Sequence, residues 1–167
     1  MEYYIRDNCR LCESLNIIKL FSLEPTPPAN AFVSEANISK KQTCYPLDLF
    51  LCNDCFHVQL NTVVDPEILF RDYVYVSGTS PSFISHFEDY AKSVTKRLNL
   101  QKDSLVIDVG SNDGTLLSKF NEFGMDVLGI DPATEIAKQA NDRGIETLNK
   151  YLNKKVVSEI INSKGPA

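Results

Sequence analysis

The chain has 167 residues, of which 43% are hydrophobic and 23% charged, and its formal net charge is −5. This composition predicts a folded core, and its scattered basic residues argue against nucleic acid as the main partner, since phosphate binding needs a clustered basic face. No apolar run reaches the roughly 20 residues of a membrane span and the first residues lack signal-peptide features, so we expect no membrane partner and a reducing, cytoplasmic location.

Four of the five cysteines lie in two Cys-x-x-Cys pairs within the first 70 residues. Two such turns can bring four thiolates to one zinc ion at about 2.3 Å, and four thiolates leave no open position for catalysis. We therefore predict a structural Zn²⁺, which would brace a region with a thin core. The predicted ligands are Cys9, Cys12, Cys52 and Cys55.

Alternatives to this ligand set, and to zinc itself, remain open. His57 could replace one cysteine as a ligand, although a surface histidine is the simpler interpretation. The two pairs could instead be redox-active thiols, or reduced cysteines buried by chance. Cys44 lies outside both pairs, and we expect it to be a buried apolar residue.

Strand patterns surround the second cysteine pair. Residues 45–52 (YPLDLFLC) show alternating leucines, and residues 57–64 (HVQLNTVV) can return as a partner strand. We predict a zinc-ribbon-like region over residues 1–70.

An aromatic and polar segment, RDYVYVSGTSPSF, begins at residue 71 and leads into a predicted helix. Ser80 and Pro81 suit the N-cap and first position of this helix. Its predicted apolar face comprises Phe83, Phe87, Tyr90, Ala91, Val94 and Leu98. His86 is expected to be a surface or packed histidine of the helix.

Residues 100–167 read as alternating strands and helices. The segments LVID, MDVLGID and IETLNK are predicted strands, and a helical pattern follows each of them. We expect Pro132 early in the second of these helices. The order βαβαβα predicts an α/β fold: the first half of a Rossmann-like sheet with strand order 3-2-1. Because the chain ends where a fourth strand is expected, we expect a fragment of a longer protein that self-associates through an exposed strand edge.

The turn after the first of these strands, VGSNDG, is a candidate cofactor loop. Asp131 follows Gly110 by 21 residues, close to the spacing of about 20 at which an acid holds a ribose. Asp108 and Asp113 would repel a pyrophosphate and suit a cofactor with an ammonium and a sulfonium. This charge pattern favours S-adenosylmethionine over NAD, and a Rossmann-like half without a ligand is the remaining alternative.

The combined motifs CRLC, PPANAF, YPLDLFLCNDCFHVQL, DYVYVSGTSPSF and VIDVGSNDGTLL resemble the zinc-containing sugar C-methyltransferases, over about residues 9–167. The resemblance implies methyl transfer from S-adenosylmethionine to a carbon next to the ketone of a nucleotide-linked deoxysugar. It also implies an N-terminal zinc region, a central methyltransferase fold and a C-terminal region with a second nucleotide-binding-like fold. The predicted parts of this chain are residues 1–70, 71–99 and 100–167, the last being a methyltransferase domain truncated before its fourth strand.

The resemblance extends to individual residues. It implies that the glycine loop lines the methionine end of the cofactor, that Asp131 holds the ribose, and that the aromatic segment belongs to the cofactor and sugar cleft. The cofactor-binding residues predicted are Asp108, Gly110, Ser111, Asn112, Asp113, Gly114, Asp131, Tyr75 and Ser77. The substrate-binding residues predicted are Tyr73, Gly78 and Ser80.

Carbon methylation needs a base that removes a proton beside the ketone, and no catalytic base stands out in this sequence. We therefore expect weak activity or none from this chain alone. The alternative functions are an NAD-dependent sugar-modifying enzyme and a non-catalytic zinc-ribbon binding module.

Overall fold

The computed structural model describes residues 2–167, which fall into two compact units, residues 2–69 and Phe70–Ala167. Within the described residues, no helix combines the length and apolar character needed to cross a bilayer.

The first unit contains two small antiparallel sheets. One sheet pairs β1 with β5, and the other has the order β2-β3-β4. The strands are β1 (Tyr3–Ile5), β2 (Ile17–Thr26), β3 (Tyr45–Cys52), β4 (Val58–Leu60) and β5 (Thr62–Val64). The prediction of a strand over residues 45–52 agrees with β3. The predicted return strand is split, because only β4 pairs with β3 while β5 pairs with β1.

β2 is a long strand that the sequence pattern did not reveal. Its apolar residues do not alternate cleanly, and it contains Pro25 near its end. The register against β3 shifts between Leu23 and Thr26, so Pro25 lies in an irregular stretch of an edge strand. Edges and bulges are the places where a sheet tolerates proline, since it cannot donate to the ladder.

The hydrophobic core of the first unit is very small. Among its described residues, the buried hydrophobic side chains are Cys9, Tyr45 and Cys52. Two of these three are predicted zinc ligands, so apolar packing alone gives this unit little stability.

Helix α1 (Pro66–Phe70) spans the boundary of the two units, and α2 (Pro81–Leu98) lies in the second. The hydroxyl oxygen of Ser80 accepts a hydrogen bond from the Phe83 N–H at 3.4 Å, as expected for an N-cap. The predicted apolar face is only partly buried. Ala91 is fully buried, whereas Phe83, Tyr90 and Leu98 are 44%, 48% and 63% exposed.

The second unit is built on a three-stranded parallel sheet with the order β6-β7-β8. Its elements are β6 (Leu105–Val109), α3 (Thr115–Glu122), β7 (Asp126–Ile130), α4 (Thr134–Asp142), β8 (Thr147–Leu148) and α5 (Lys154–Lys164). The chain is mixed α/β, and this sheet fits a Rossmann-like half. β8 is shorter than predicted, and Pro132 precedes the N-cap of α4 at Ala133 instead of lying within the helix.

Helices cover both faces of this sheet. On one face, α5 contributes Val156 and Ile160 to a cluster with Leu128 and Ile130. On the other, Phe120 of α3 packs with Ala91 of α2. Because β6 pairs only with β7 among the described residues, its other edge is open. Self-association through this edge stays a prediction.

The start of α3 depends on Gly114, which has φ +74. A Cβ atom there would lie 2.8 Å from Cγ2 of buried Ile145. We expect Gly114→Ala to lower the free energy of unfolding by about 2–5 kcal/mol, since it adds overpacking to the strain of a left-handed residue. Denaturant unfolding of the full chain, followed in the second unit, measures this free energy.

Gly144 provides a matched control for this substitution. It has a similar φ of +83, but a Cβ atom there would meet nothing within 4 Å. Gly144→Ala should therefore cost only about 1–2 kcal/mol. Equal losses for the two variants would contradict the role assigned to the contact with Ile145.

Candidate functional site

The four paired cysteines converge in the first unit. Their sulfur atoms all lie within 4.8 Å of one another, and no other described residue joins the cluster. The distances Cys9 Sγ–Cys55 Sγ and Cys12 Sγ–Cys52 Sγ are both 3.6 Å. Tetrahedral zinc with Zn–S bonds of about 2.3 Å requires sulfur separations of about 3.8 Å. The donor set and spacing therefore fit zinc, and His57 lies outside the cluster.

The electrostatics of the cluster also favour a bound cation. The backbone N–H of Cys12, more than any other group, lowers the pKa of Cys9 to about 6. At Cys55 the N–H of His57 favours the thiolate, but desolvation and the neighbouring cysteine sulfurs outweigh it and raise the pKa to about 12. Four thiolates this close repel one another, and a divalent cation removes that repulsion.

Matching backbone turns form the two cysteine pairs. The Glu13 N–H donates to the carbonyl of Cys9, and the Phe56 N–H donates to the carbonyl of Cys52, both at 2.9 Å. Glu13 and Phe56, each four residues after the first cysteine of its pair, have φ values of 62° and 59°. No glycine marks these left-handed positions, so they could not be recognised from residue types alone.

Gln59 links the first cysteine turn to β4. This side chain is 5% exposed. Its oxygen accepts from the Arg10 N–H at 2.8 Å, and its nitrogen donates to the Asn8 carbonyl at 3.0 Å. Sequence reasoning missed this residue.

Cys44 was expected to be a buried apolar residue. It is exposed, so that prediction was wrong.

In the second unit, a cavity of about 370 Å³ opens at the carboxyl ends of the parallel strands. The ends of β6, β7 and β8 and the chain before α2 all contribute to its wall. The lining residues are Phe70, Tyr73, Val109, Gly110, Asn112, Ile130, Asp131, Pro132, Ala133, Lys150, Tyr151 and Leu152. Ligands of open α/β sheets bind at this edge, so the cavity is the candidate cofactor site.

Asp131 is the acidic residue of the cavity lining, and backbone hydrogen bonds hold its carboxylate. It is 6% exposed. One carboxylate oxygen accepts from the Asn112 N–H and the other from the Ala133 N–H, each at 2.8 Å. Asp108 lies on the neighbouring strand β6, and burial, reinforced by the charge of Asp131, raises its pKa. Two carboxylates therefore give this edge a negative potential that a cationic ligand would relieve.

The second acid assumed from the sequence, Asp113, is differently placed. Its side chain is fully buried and pairs with the guanidinium of Arg143 at 2.8 Å. The two carboxylates that influence each other at this edge of the sheet are therefore Asp108 and Asp131, whereas Asp113 is paired with a cation.

Four of the predicted site residues line the cavity: Tyr73, Gly110, Asn112 and Asp131. The others lie outside its lining, on β6, in the loop that follows it, or along the segment before α2. These are Tyr75, Ser77, Gly78, Ser80, Asp108, Ser111, Asp113 and Gly114. Ser111 is 4% exposed, and a Cβ atom on Gly129 would lie 2.5 Å from its hydroxyl. The ligand-binding roles of all twelve stay predictions.

Sequence reasoning missed the part of the cavity wall that follows β8. Lys150, Tyr151 and Leu152 lie there. The predicted third strand ended at Lys150, and carboxyl ends of parallel strands share one edge of a sheet, so this position could have been identified.

Comparisons with known proteins bear on both units. Residues 9–70 match the sequence model of a protein family described as "Putative zinc binding domain". The chain is also 34% identical, over 161 residues, to C-methyltransferase NovU of Streptomyces niveus. That match covers 96% of this chain but only 38% of the relative's length. The resemblance to zinc-containing C-methyltransferases is thereby confirmed.

Proposed function

We propose that this chain carries the zinc-binding and cofactor-binding parts of an S-adenosylmethionine-dependent C-methyltransferase. The observation that carries the proposal is the cavity at the strand ends, which Asp131 lines, with the charge of Asp131 acting on a second carboxylate, Asp108, on the neighbouring strand. The similarity to C-methyltransferase NovU supports the reaction class. We further propose, from the resemblance, that the acceptor is a carbon beside the ketone of a nucleotide-linked deoxysugar.

The residues of this chain would bind and orient the reactants. Asp131 would accept hydrogen bonds from the ribose hydroxyls, and the apolar wall at Pro132, Ala133 and Leu152 suits the adenine. The cofactor, when bound, supplies an electrophilic methyl group. Transfer requires a base that removes a proton next to the ketone, and we assign this base to no residue of this chain.

Zinc would act as a structural brace in this proposal. Cys9, Cys12, Cys52 and Cys55 would fill a tetrahedral shell, leaving no position for substrate.

Calorimetric titration with S-adenosylmethionine and with NAD tests the proposal, since the NAD-dependent alternative predicts the opposite preference. We expect binding of S-adenosylmethionine only. In Asp131→Asn the affinity should fall about 10- to 100-fold, because the site loses a charged hydrogen-bond acceptor.

Asp142→Asn is the control, since Asp142 is an exposed acid at the end of α4 that lies outside the cavity wall. This variant should bind like the wild type. Binding of NAD alone, binding of neither cofactor, or equal losses in the two variants would overturn the proposal.

A further inference from the structure

The chain before α2 runs along the cavity as a strap, defined here as residues 70–79. The strap is tied to the sheet edge at successive points. The Thr134 N–H donates to the Arg71 carbonyl at 3.2 Å. Further along, the Asn112 side chain donates to the Tyr75 carbonyl at 2.8 Å and accepts from the Ser77 N–H at 2.9 Å. The strap supplies Phe70 and Tyr73 to the cavity wall.

The last tie of the strap is at Gly78. Its N–H donates to a carboxylate oxygen of Asp113 at 3.2 Å. The approach is close, since a Cβ atom on Gly78 would lie 2.6 Å from that oxygen and 2.7 Å from the hydroxyl of Thr115. The strap backbone thus rests directly on the buried carboxylate.

Asp113 can hold the strap only while its own charge is balanced. The side chain is completely buried. Thr115 donates its hydroxyl at 2.7 Å, and Arg143 at the end of α4 donates Nη1 at 2.8 Å. A buried carboxylate that loses its cationic partner is strongly disfavoured and must take up a proton, admit water or move.

We propose that Arg143 is a positioning residue that fixes the strap through Asp113. Arg143 is 53% exposed and lies outside the cavity lining, so it acts on the cavity wall without contacting a ligand there. The guanidinium holds the carboxylate, the carboxylate holds the Gly78 N–H, and the strap keeps Phe70 and Tyr73 in the wall. The effect on the cofactor rests on the proposed function, whereas the effect on the strap does not.

Hydrogen exchange of the ligand-free chain, followed by mass spectrometry on peptides covering residues 71–80, tests this inference. In Arg143→Gln we expect exchange there to accelerate about tenfold or more, because Asp113, which accepts from the Gly78 N–H, loses its charged hydrogen bond to Arg143. Exchange in β7 should not change. Arg143→Lys, which keeps the positive charge, should restore much of the protection.

Lys138→Gln is the matched control, because it removes an exposed cation from the same helix. It should leave the strap protected. Unchanged strap exchange in Arg143→Gln would overturn the proposal, as would acceleration spread equally over the strap and β7, which would report a general loss of stability.

Affinity for S-adenosylhomocysteine provides a second readout on the same variants. We expect about a tenfold weaker affinity in Arg143→Gln and recovery in Arg143→Lys. A wild-type chain that binds no such ligand would refute the proposed function, while the exchange experiment would still decide whether Arg143 fixes the strap. A strap that loosens with no change in measurable affinity would overturn the positioning role.

Discussion

Replacing Cys52 with serine should abolish zinc binding and unfold the first unit. Cys52 is completely buried in the cysteine cluster, and its backbone N–H bonds to the His57 carbonyl at 2.9 Å. Because cysteine ligands form most of the small core of this unit, binding of the metal and folding should be one equilibrium. Structural zinc contributes roughly 10–16 kcal/mol in small domains, far more than the stability such a core could supply.

Elemental analysis and hydrogen exchange measure this effect. The wild type should contain about one zinc ion per chain, and Cys52→Ser should contain none. Exchange should become fast throughout β2–β4, while β6 and β7 stay protected. Treating the wild type with a chelator should reproduce the same pattern.

Cys44→Ser is the control for this substitution. Cys44 is an exposed thiol outside the cluster. The Cys44→Ser variant should keep its zinc and the exchange protection of β2–β4. A folded first unit in metal-free wild-type protein would refute the structural role of zinc, and reversible oxidation of the pairs in that protein would favour the redox alternative.

The cysteine cluster could be predicted from the sequence more completely than the glycine loop at the cavity. Cys-x-x-Cys pairs constrain their own geometry, because each short turn fixes the separation of its two sulfurs. The cluster could therefore be predicted by residue number. The left-handed Glu13 and Phe56 could not, because tertiary contacts impose a conformation that neither residue type signals.

Loop chemistry was harder to predict than loop position. The strand, the turn at residues 110–114 and the spaced Asp131 followed from periodicity and spacing. The direction of the Asp113 side chain did not, because it depends on Arg143, which is 30 positions away in the sequence. An acid in a glycine loop can face a ligand or support the backbone, and only the fold distinguishes the two.

Replacing Asp108 with asparagine should stabilise the ligand-free chain and weaken binding of the cationic cofactor. Asp108 is partly buried, and burial and the charge of Asp131 raise its pKa. A carboxyl whose pKa is higher in the folded than in the unfolded state gives most stability below the unfolded value, and this stability is lost as pH rises through the folded value. At neutral pH the ionised group therefore costs stability, and Asp108→Asn should raise the Tm.

The same substitution should reveal what the charge does for binding. We expect affinity for S-adenosylmethionine to fall about tenfold, and affinity for S-adenosylhomocysteine, which lacks the sulfonium charge, to fall less. Wild-type affinity for S-adenosylmethionine should also decline as pH falls through the raised pKa of Asp108, and Asp108→Asn should lack this decline. A lower Tm, or equal losses for the two ligands, would show that Asp108 serves the fold instead of the charge of the cofactor. Asp131→Asn should behave differently, because an amide NH2 replaces one of the two carboxylate oxygens that accept backbone N–H groups, and this loss should lower the Tm.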